Sequence, residues 1–569
     1  MRMKWNIIEH DYDEVRRFSS LIKVEPIIGA LLISRGFGSE TDAERFLRPD
    51  ASHLNNPFLL KDMERSVGRI LRGIDGGEKI LVWGDYDVDG TTGTVVLRKA
   101  LDILGGISEY HVPHRFLEGY GINIEGLQAA KDRGVSLVIS VDTGSRAFEA
   151  AEWAQKNSID LIITDHHLSD PERGNPDAFA VVNPNQPGCP YPDKHLAGVG
   201  VAYKLAEALL KTRGKDSQLE AFLKMVAIGT VADIMQLKDE NRAIVAIGLR
   251  DLPRARNHGL RALMEVAGCT SEMSSYDIGF RIAPRINAAG RMDAATEVVK
   301  LFEAETFDEA RAIAEKLDIA NRERQKVQAE ISEKALAAFV DHGGTESQPH
   351  VAVVAGEGWH RGVIGLASSR ITDRLHRPSL VISIEDGIGH GSARSIEGFD
   401  LHSALEHCRD SFEKFGGHAA ACGFTIREEN IESMTDKINA YAAGVLTNEI
   451  LERKLRVDAI VKSKTVTLDL VESLKKMEPY GAGNPKPCFV MGPLELVADA
   501  RVMAEKHLKL KLADSDGRVF EAVWWSGVEK SEELNLSKGG RIQLAFTPEA
   551  NQWNGSTRLQ LIVEDLVNC

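Results

Sequence analysis

Between residues 50 and 305 the apolar positions fall into short runs, at 80–83, 137–141, 161–164 and 178–182, with a more mixed strand pattern at 107–112, separated by stretches with apolar residues at helical spacing. Runs this short and this continuous suit strands buried on both faces. Their alternation with helices predicts an α/β fold, a doubly wound parallel sheet over residues 51–305. Ahead of it, residues 1–50 read as a small helical lead-in, with a helix Glu40–Leu47 behind a Ser39 cap.

The pattern then changes twice. Residues 306–340 are mostly polar, with no Gly or Pro until Gly343, and predict one long helix of the kind that joins domains. Residues 341–450 return to an α/β pattern, with a strand over 350–355, a helix from Val363 and two glycine-rich turns at 389–395 and 415–419. Residues 451–569 carry short strands at 508–512, 519–525, 541–547 and 557–563, which predict a β-barrel of the OB-fold kind. On its strand 508–512, Lys509 and Lys511 alternate with leucines and form a basic face suited to nucleic-acid backbone contacts. By the same alternation, Val523-Trp524-Trp525 is expected to be half core.

A chain of 569 residues with 43% hydrophobic and 27% charged residues is an ordinary multidomain globular protein. Its net charge of −15 argues against a broad basic surface coating duplex DNA, but leaves room for a narrow cleft with local positive charge. Cysteines 189, 269, 408, 422, 488 and 569 form no C-x-x-C pair, so reduced thiols are expected and a structural zinc is not. The first residues hold no apolar signal core, and no stretch reaches the length of a membrane span. A cytoplasmic protein, monomeric and without a membrane partner, is the expectation.

Chemistry gathers where the strands end. Asp85, Asp87 and Asp89 follow the run 80–83, Asp142 follows 137–141, and Asp165-His166-His167 follows 161–164. Asp233, closing Gly229-Thr230-Val231-Ala232-Asp233, is read as a fourth site of the same kind. Ligands of open α/β sheets bind at the carboxyl ends of the strands. Several acids and a histidine gathered there would repel one another without cations between them. Alternate carboxylates on an extended Asp-x-Asp loop can hold one ion jointly. Adjacent side chains at a strand end diverge, so one histidine, His166, is expected as ligand. His167 then contacts the scissile phosphate or supports its neighbour. Mixed oxygen and imidazole ligation suits Mn²⁺ and tolerates Mg²⁺.

The set Gly84-Asp85-Tyr86-Asp87-Val88-Asp89-Gly90, Ser140-Val141-Asp142-Thr143-Gly144, Thr164-Asp165-His166-His167 and Gly229-Thr230-Val231-Ala232-Asp233 resembles the DHH phosphoesterases. With Pro284-Arg285-Ile286-Asn287-Ala288-Ala289-Gly290-Arg291, Gly391-Ser392-Ala393-Arg394-Ser395, Gly416-Gly417-His418 and Glu478-Pro479-Tyr480-Gly481-Ala482-Gly483-Asn484-Pro485, the likeness spans almost the whole chain. It is strongest to the bacterial single-strand-specific exonucleases of that superfamily.

The resemblance implies two divalent cations, Mn²⁺ or Mg²⁺. Asp142 would bridge them, Asp87 would complete one site, and Asp89, His166 and Asp233 would hold the other. Trp83 stands where many relatives carry a histidine, and Asp85 would replace it. Arg115, Arg285, Asn287 and Arg291 are implied phosphate contacts. Ser392, Arg394 and His418, on turns whose backbone amides can hold an anion, are implied to recognise a terminal 5′-phosphate. The implied activity is 5′-to-3′ exonucleolytic release of 5′-mononucleotides from single-stranded DNA, in recombination and repair. Single-strand-binding protein and a RecQ-type helicase are the implied partners. Two rivals are a DHH phosphodiesterase of short oligonucleotides or cyclic dinucleotides and a catalytically silent DHH scaffold. The segment 451–569 argues against the first, and the retained acids argue against the second.

Overall fold

The computed structural model describes residues 3–115, 117–269, 272–291, 295–341, 350–531, 534, 536–553 and 555–569. The chain divides into two compact units, Ile7–Asp318 with Arg456–Cys569, and Met1–Asn6 with Ile319–Leu455.

The first unit is built on a five-stranded sheet in the order Ile107–His111, Lys79–Gly84, Val135–Val141, Asp160–Thr164, Ala180–Val182. Every neighbouring pair is parallel. Alternate residues of the central strands enter two separate cores. Ile80, Val82, Ile139 and Ile162 pack with Val96, Leu97 and Val199 on one face. Leu81, Trp83, Val138 and Ile163 pack with Leu127 and Ala151 on the other. Each such side chain contributes about 1.5–3 kcal/mol by leaving water, and burial on both faces explains why the runs read as continuously apolar.

The same unit contains the barrel. Strands Phe489–Leu496, Arg541–Trp553, Ser556–Asn568, Val519–Trp524 and His507–Ala513 follow one another, and a pairing of the first with the last closes the ring. Leu508, Leu510 and Leu512 point inward, and Lys509 and Lys511 point outward. Trp524 is buried and Trp525 half exposed, as strand alternation requires. Helices Tyr12–Ile22, Pro26–Ser34 and Glu40–Leu47 share the barrel's core, where Phe18, Leu31 and Phe46 join Leu470, Leu474 and Phe489. Ser39 caps the third helix by accepting the Asp42 N–H. These three helices are thus an outer layer of the barrel.

Arg242, on the helix Asp239–Asp251, ties this layer to the sheet domain. Its buried guanidinium donates to the carbonyls of Phe46, Met477, Glu478 and Pro479 and lies over the Phe46 ring. The loop it holds is the Glu478–Pro485 motif. Ala482 O in that loop accepts the Leu237 N–H, and Tyr480 O accepts the Ser275 hydroxyl.

In the second unit the sheet order is Phe412–His418, Ala421–Arg427, Ile388–Arg394, Ser379–Glu385, Ala352–Glu357. The segments expected as glycine-rich turns are strands. Their glycines make room for cross-strand side chains: a Cβ at Gly391 would enter the Phe424 ring, and one at Gly389 would sit 2.8 Å from Ile382. The Ile388–Arg394 strand pairs along both edges, so its amides serve the sheet and form no anion nest. The long polar helix runs Phe307–Asp341. It gives Ala310, Ile313, Ala314 and Leu317 to the first unit's core, and Ile331, Ala335 and Phe339 to the second's. A narrow apolar stripe serving two cores in succession accounts for its polar composition.

Candidate metal centre and nucleic-acid cleft

The strand Lys79–Gly84 delivers Asp85, and the chain turns at once into the helix Val88–Ile103. Asp87 is the N-cap, accepting the Gly90 N–H at 3.0 Å. Asp89 lies in the first helical turn, so helix geometry, and not the alternation of an extended loop, sets its direction. Asp89 is buried, and its oxygens accept the N–H groups of Gly198 (2.6 Å) and Val199 (2.7 Å) at the start of the helix Gly198–Thr212. Gly198 must be glycine, because a Cβ there would lie 2.6 Å from Asp142 Cγ.

Asp142 follows its strand with φ of 63°, the left-handed region that a non-glycine residue adopts at a cost. Asp233 does not follow a strand. It caps the C-terminus of the helix Leu223–Ala232, whose apolar residues are buried almost all round. A short, uniformly apolar run is consistent with a strand or a buried helix, and here the helix holds.

Asp165 orders the histidine pair. It accepts the N–H of His166 (2.7 Å), His167 (3.2 Å) and Ser145 (2.8 Å), and lies 2.8 Å from His167 Nδ1. Asn183 and Asn185 donate to the His167 and His166 carbonyls. The chain has left the strand by then, so the two rings do not diverge as expected; their centroids are 4.5 Å apart. His166 Nε2 is 3.2 Å from Asp142 Oδ1, 3.6 Å from Asp233 and 3.8 Å from Asp89.

Three ligand groups result: Asp85, Asp87 and Asp142; Asp89, His166 and Asp233; and Asp142, His166 and His167. Within each, the ligating atoms lie within 4.8 Å of one another. Asp142 and His166 each belong to two of these groups.

The electrostatics carry the strain of so many acids. Burial, then the neighbouring carboxylates, push Asp85, Asp89 and Asp142 well above the usual carboxylate range. Burial and Asp87 raise Asp233 to about 7. Burial and the charge of His167 lower His166 to about 4, which leaves it a neutral imidazole fit for ligation. His167 goes the other way: against burial, its hydrogen bond to Asp165 and that residue's charge raise it to about 9. Asp165, also against burial, is held low by the same pairing.

A cleft of about 300 Å³ opens beside this cluster, lined by Tyr86, Arg115, Tyr120, His167, Asn287, Gly290 and Arg291 together with the acids. Asn287 and Arg291 lie on a helix, Ala283–Arg291. That helix explains why Arg285 does not line the cleft: two positions from Asn287 it faces elsewhere, bonded to Asp318 (2.9 Å) and to Arg281 O. Arg115 lies over the Tyr86 ring at 5.0 Å.

In the second unit, Ser392, Arg394 and His418 share one face of the sheet, Arg394 and His418 both in register with Ala421. On the barrel, Lys509 is paired with Glu521 at 2.9 Å. Sequence reasoning missed Tyr86, Tyr120, Asn183, Asn185 and Gly198. Asn183 follows an apolar strand just as Asp142 and Asp165 do, and that signal could have found it.

Family profiles match three stretches: "DHH family, N-terminal domain" over residues 79–230, "DHHA1 domain" over 348–444 and "RecJ OB domain" over 457–565. The single-stranded-DNA-specific exonuclease RecJ of Bacillus subtilis is 36% identical over 568 residues, 99% of this chain and 71% of that protein. RecJ of Haemophilus influenzae is 34% identical, covering 95% of this chain and 96% of that one. The chain belongs to the RecJ family. Among solved structures, RecJ of Thermus thermophilus in complex with Mn²⁺ is similar over 100% of this chain and 80% of that one, at 27% identity and a TM-score of 0.85. A second RecJ exonuclease structure, bound to manganese, is 30% identical over 69% of this chain, with a TM-score of 0.59.

The residues present fit the divalent cations held by those RecJ structures. Asp85 Oδ1 and Asp142 Oδ1 are buried without a hydrogen-bond partner, the second approached by His166 Nε2 at 3.2 Å and by His167 Nδ1 at 3.8 Å. Oxygen and imidazole donors in this proportion are the set Mn²⁺ accepts readily.

Proposed function

We propose that this chain is a single-stranded-DNA-specific exonuclease that works from the 5′ end, releases 5′-mononucleotides and acts in DNA recombination and repair. The observation that carries the proposal is the coincidence of three acid-rich groups able to hold a metal ion, two of them with histidine, beside one cleft, with a RecJ likeness spanning almost the entire chain. Asp85, Asp87 and Asp142 would hold one cation, and Asp89, His166 and Asp233, with Asp142 shared, the other. When bound, such ions supply an activated water and stabilise the leaving 3′-oxygen.

The chain's own residues then do the rest. Asp165 keeps His167 protonated at neutral pH, so His167 stands at the cleft as a cationic donor for a non-bridging phosphate oxygen. Arg115, Asn287 and Arg291 offer further donors from the same cleft lining. Ser392, Arg394 and His418 are proposed to hold the terminal 5′-phosphate, and the Lys509–Lys511 face of the barrel to hold the trailing strand. Single-strand-binding protein and a RecQ-type helicase are the proposed partners of a monomeric cytoplasmic enzyme. Among the described residues no helix is long and apolar enough to cross a membrane.

The test is digestion of oligonucleotides labelled at either end, single-stranded or annealed, with Mn²⁺, Mg²⁺ or EDTA. Immediate release of labelled mononucleotide from the 5′-labelled single strand, with duplex and EDTA arms silent, is expected. Release first from the 3′ label would overturn the polarity. Cleavage confined to dinucleotides would transfer the chain to the short-substrate phosphodiesterases.

A further inference from the structure

The helical segment that ends at the cleft begins with two exposed aromatic rings. Tyr276 is 54% exposed and Phe280 68%, and their rings are stacked with centroids 4.6 Å apart and planes inclined by 23°. Ile278, Ile282, Ala283, Ile286 and Ala289 bury the opposite face. The accessible stripe runs Tyr276, Phe280, Pro284, Asn287, Arg291, so one helix side leads from the ring pair to the two residues that line the cleft. A π-helical turn, Ile278–Ile282, lies within that stripe, and turns of this kind are frequent at functional sites.

The approach from Asp233 is also apolar. Ile234, with φ of 56°, is 77% exposed, and Val231 of the same helix end lies 3.9 Å from the position of a Cβ on Gly279. The guanidinium groups beside the stripe are engaged: Arg281 with Asp277 at 3.1 Å and Arg285 with Asp318. The surface therefore offers ring faces rather than free positive charge.

We infer that Tyr276 and Phe280 form a stacking platform for nucleobases of the single strand held in the cleft. This rests on the single-strand exonuclease reading. Phe280 to Arg291 spans about 15 Å of helix, so the bases concerned belong to nucleotides beyond the one being cleaved. Aromatic rings stack on any base, which suits a nuclease without sequence preference. Bases already stacked in a duplex cannot make this contact, so the platform favours single strands.

Binding is measured on the full chain in EDTA, with a fluorescent thymidine oligonucleotide and with the same strand carrying abasic residues through its interior. Tyr276→Ala and Phe280→Ala are each expected to weaken binding of the base-bearing strand about fivefold or more, and the pair by tens-fold. All of these variants should bind the abasic strand like the unaltered protein. Phe280→Trp should restore binding and Phe280→Leu should not. Equal losses on both strands, or no loss, would overturn the platform. A 5-iodouracil strand photocrosslinked to the unaltered protein should label the peptide that holds residues 272–285, and labelling elsewhere alone would overturn it too. If the platform instead docks another protein, affinity for both strands stays unchanged. Hydrolysis of single strands by the unaltered protein is assayed in parallel: its failure refutes the exonuclease reading, whereas its success with unchanged binding refutes only the platform.

Discussion

Gly198→Ala places one methyl group against the carboxylates proposed as ligands. Gly198 opens its helix with its N–H 2.6 Å from Asp89 Oδ2, and a Cβ there would lie 2.6 Å from Asp142 Cγ and closer still to Asp142 Cβ. Contact with the Asp142 Cβ means that no rotation of the carboxylate relieves the clash. Either the strand end carrying Asp142 or the helix end holding Asp89 must retreat. Overpacking of this sort costs about 1–3 kcal/mol, and alanine recovers at most about 1 kcal/mol of helix propensity over glycine. The net loss of roughly 3 kcal/mol or less should lower the melting temperature by only a few degrees. Activity should suffer far more, because displacing two ligands by about 1 Å costs on the order of a hundredfold in rate. Initial rates on a 5′-labelled single strand across a Mn²⁺ series, with melting curves on the same preparations, separate the two effects. A rate within fivefold of the unaltered protein, or a loss explained by the unfolded fraction alone, would refute the packing argument.

Other outcomes follow from the same geometry. Metal-free protein should lose stability as pH rises through about 7, because burial and Asp87 hold Asp233 at about 7, above its unfolded value, so the folded state binds the extra proton, with Asp85, Asp89 and Asp142 shifted in the same direction. Mn²⁺ should then raise the melting temperature most at pH 8, and a larger rise at pH 5 would contradict this. Arg242→Met should destabilise by about 3 kcal/mol or more, since it strips a charged donor from four buried carbonyls; a change under 1 kcal/mol in urea unfolding would count against the clamp. Arg394→Ala should slow digestion of 5′-phosphorylated strands about tenfold more than of 5′-hydroxyl strands, and equal slowing would remove it from terminal-phosphate recognition. Removal of residues 451–569 should aggregate the remainder, because Phe18, Leu31 and Phe46 lose the core they share with the barrel; a soluble truncated monomer would contradict that packing.

Much of the catalytic sheet was legible because its strands are buried on both faces and end in acids. Asp85, Asp142 and Asp165 each follow a strand as expected. Asp233 reached the site from a helix, because an all-round buried helix and a buried strand read alike. The glycine segments of the second unit misled for the opposite reason: glycine there makes room for Phe424 and Ile426, a packing role that local propensity does not reveal. Arg285 lay beyond sequence reasoning, since its partner Asp318 is far along the chain. The sharing of one core by the N-terminal helices and the barrel, sequentially remote segments, was invisible for the same reason.

The most direct measurement is the rate of Asp142→Ala on a single-stranded oligonucleotide at saturating Mn²⁺, on protein shown to melt cooperatively. Asp142 is the buried carboxylate common to two ligand groups, 3.2 Å from His166. A folded variant with less than a few per cent of the unaltered rate is expected if one carboxylate bridges two cations. A folded variant that keeps a substantial fraction of that rate would contradict the two-cation centre and the mechanism built on it.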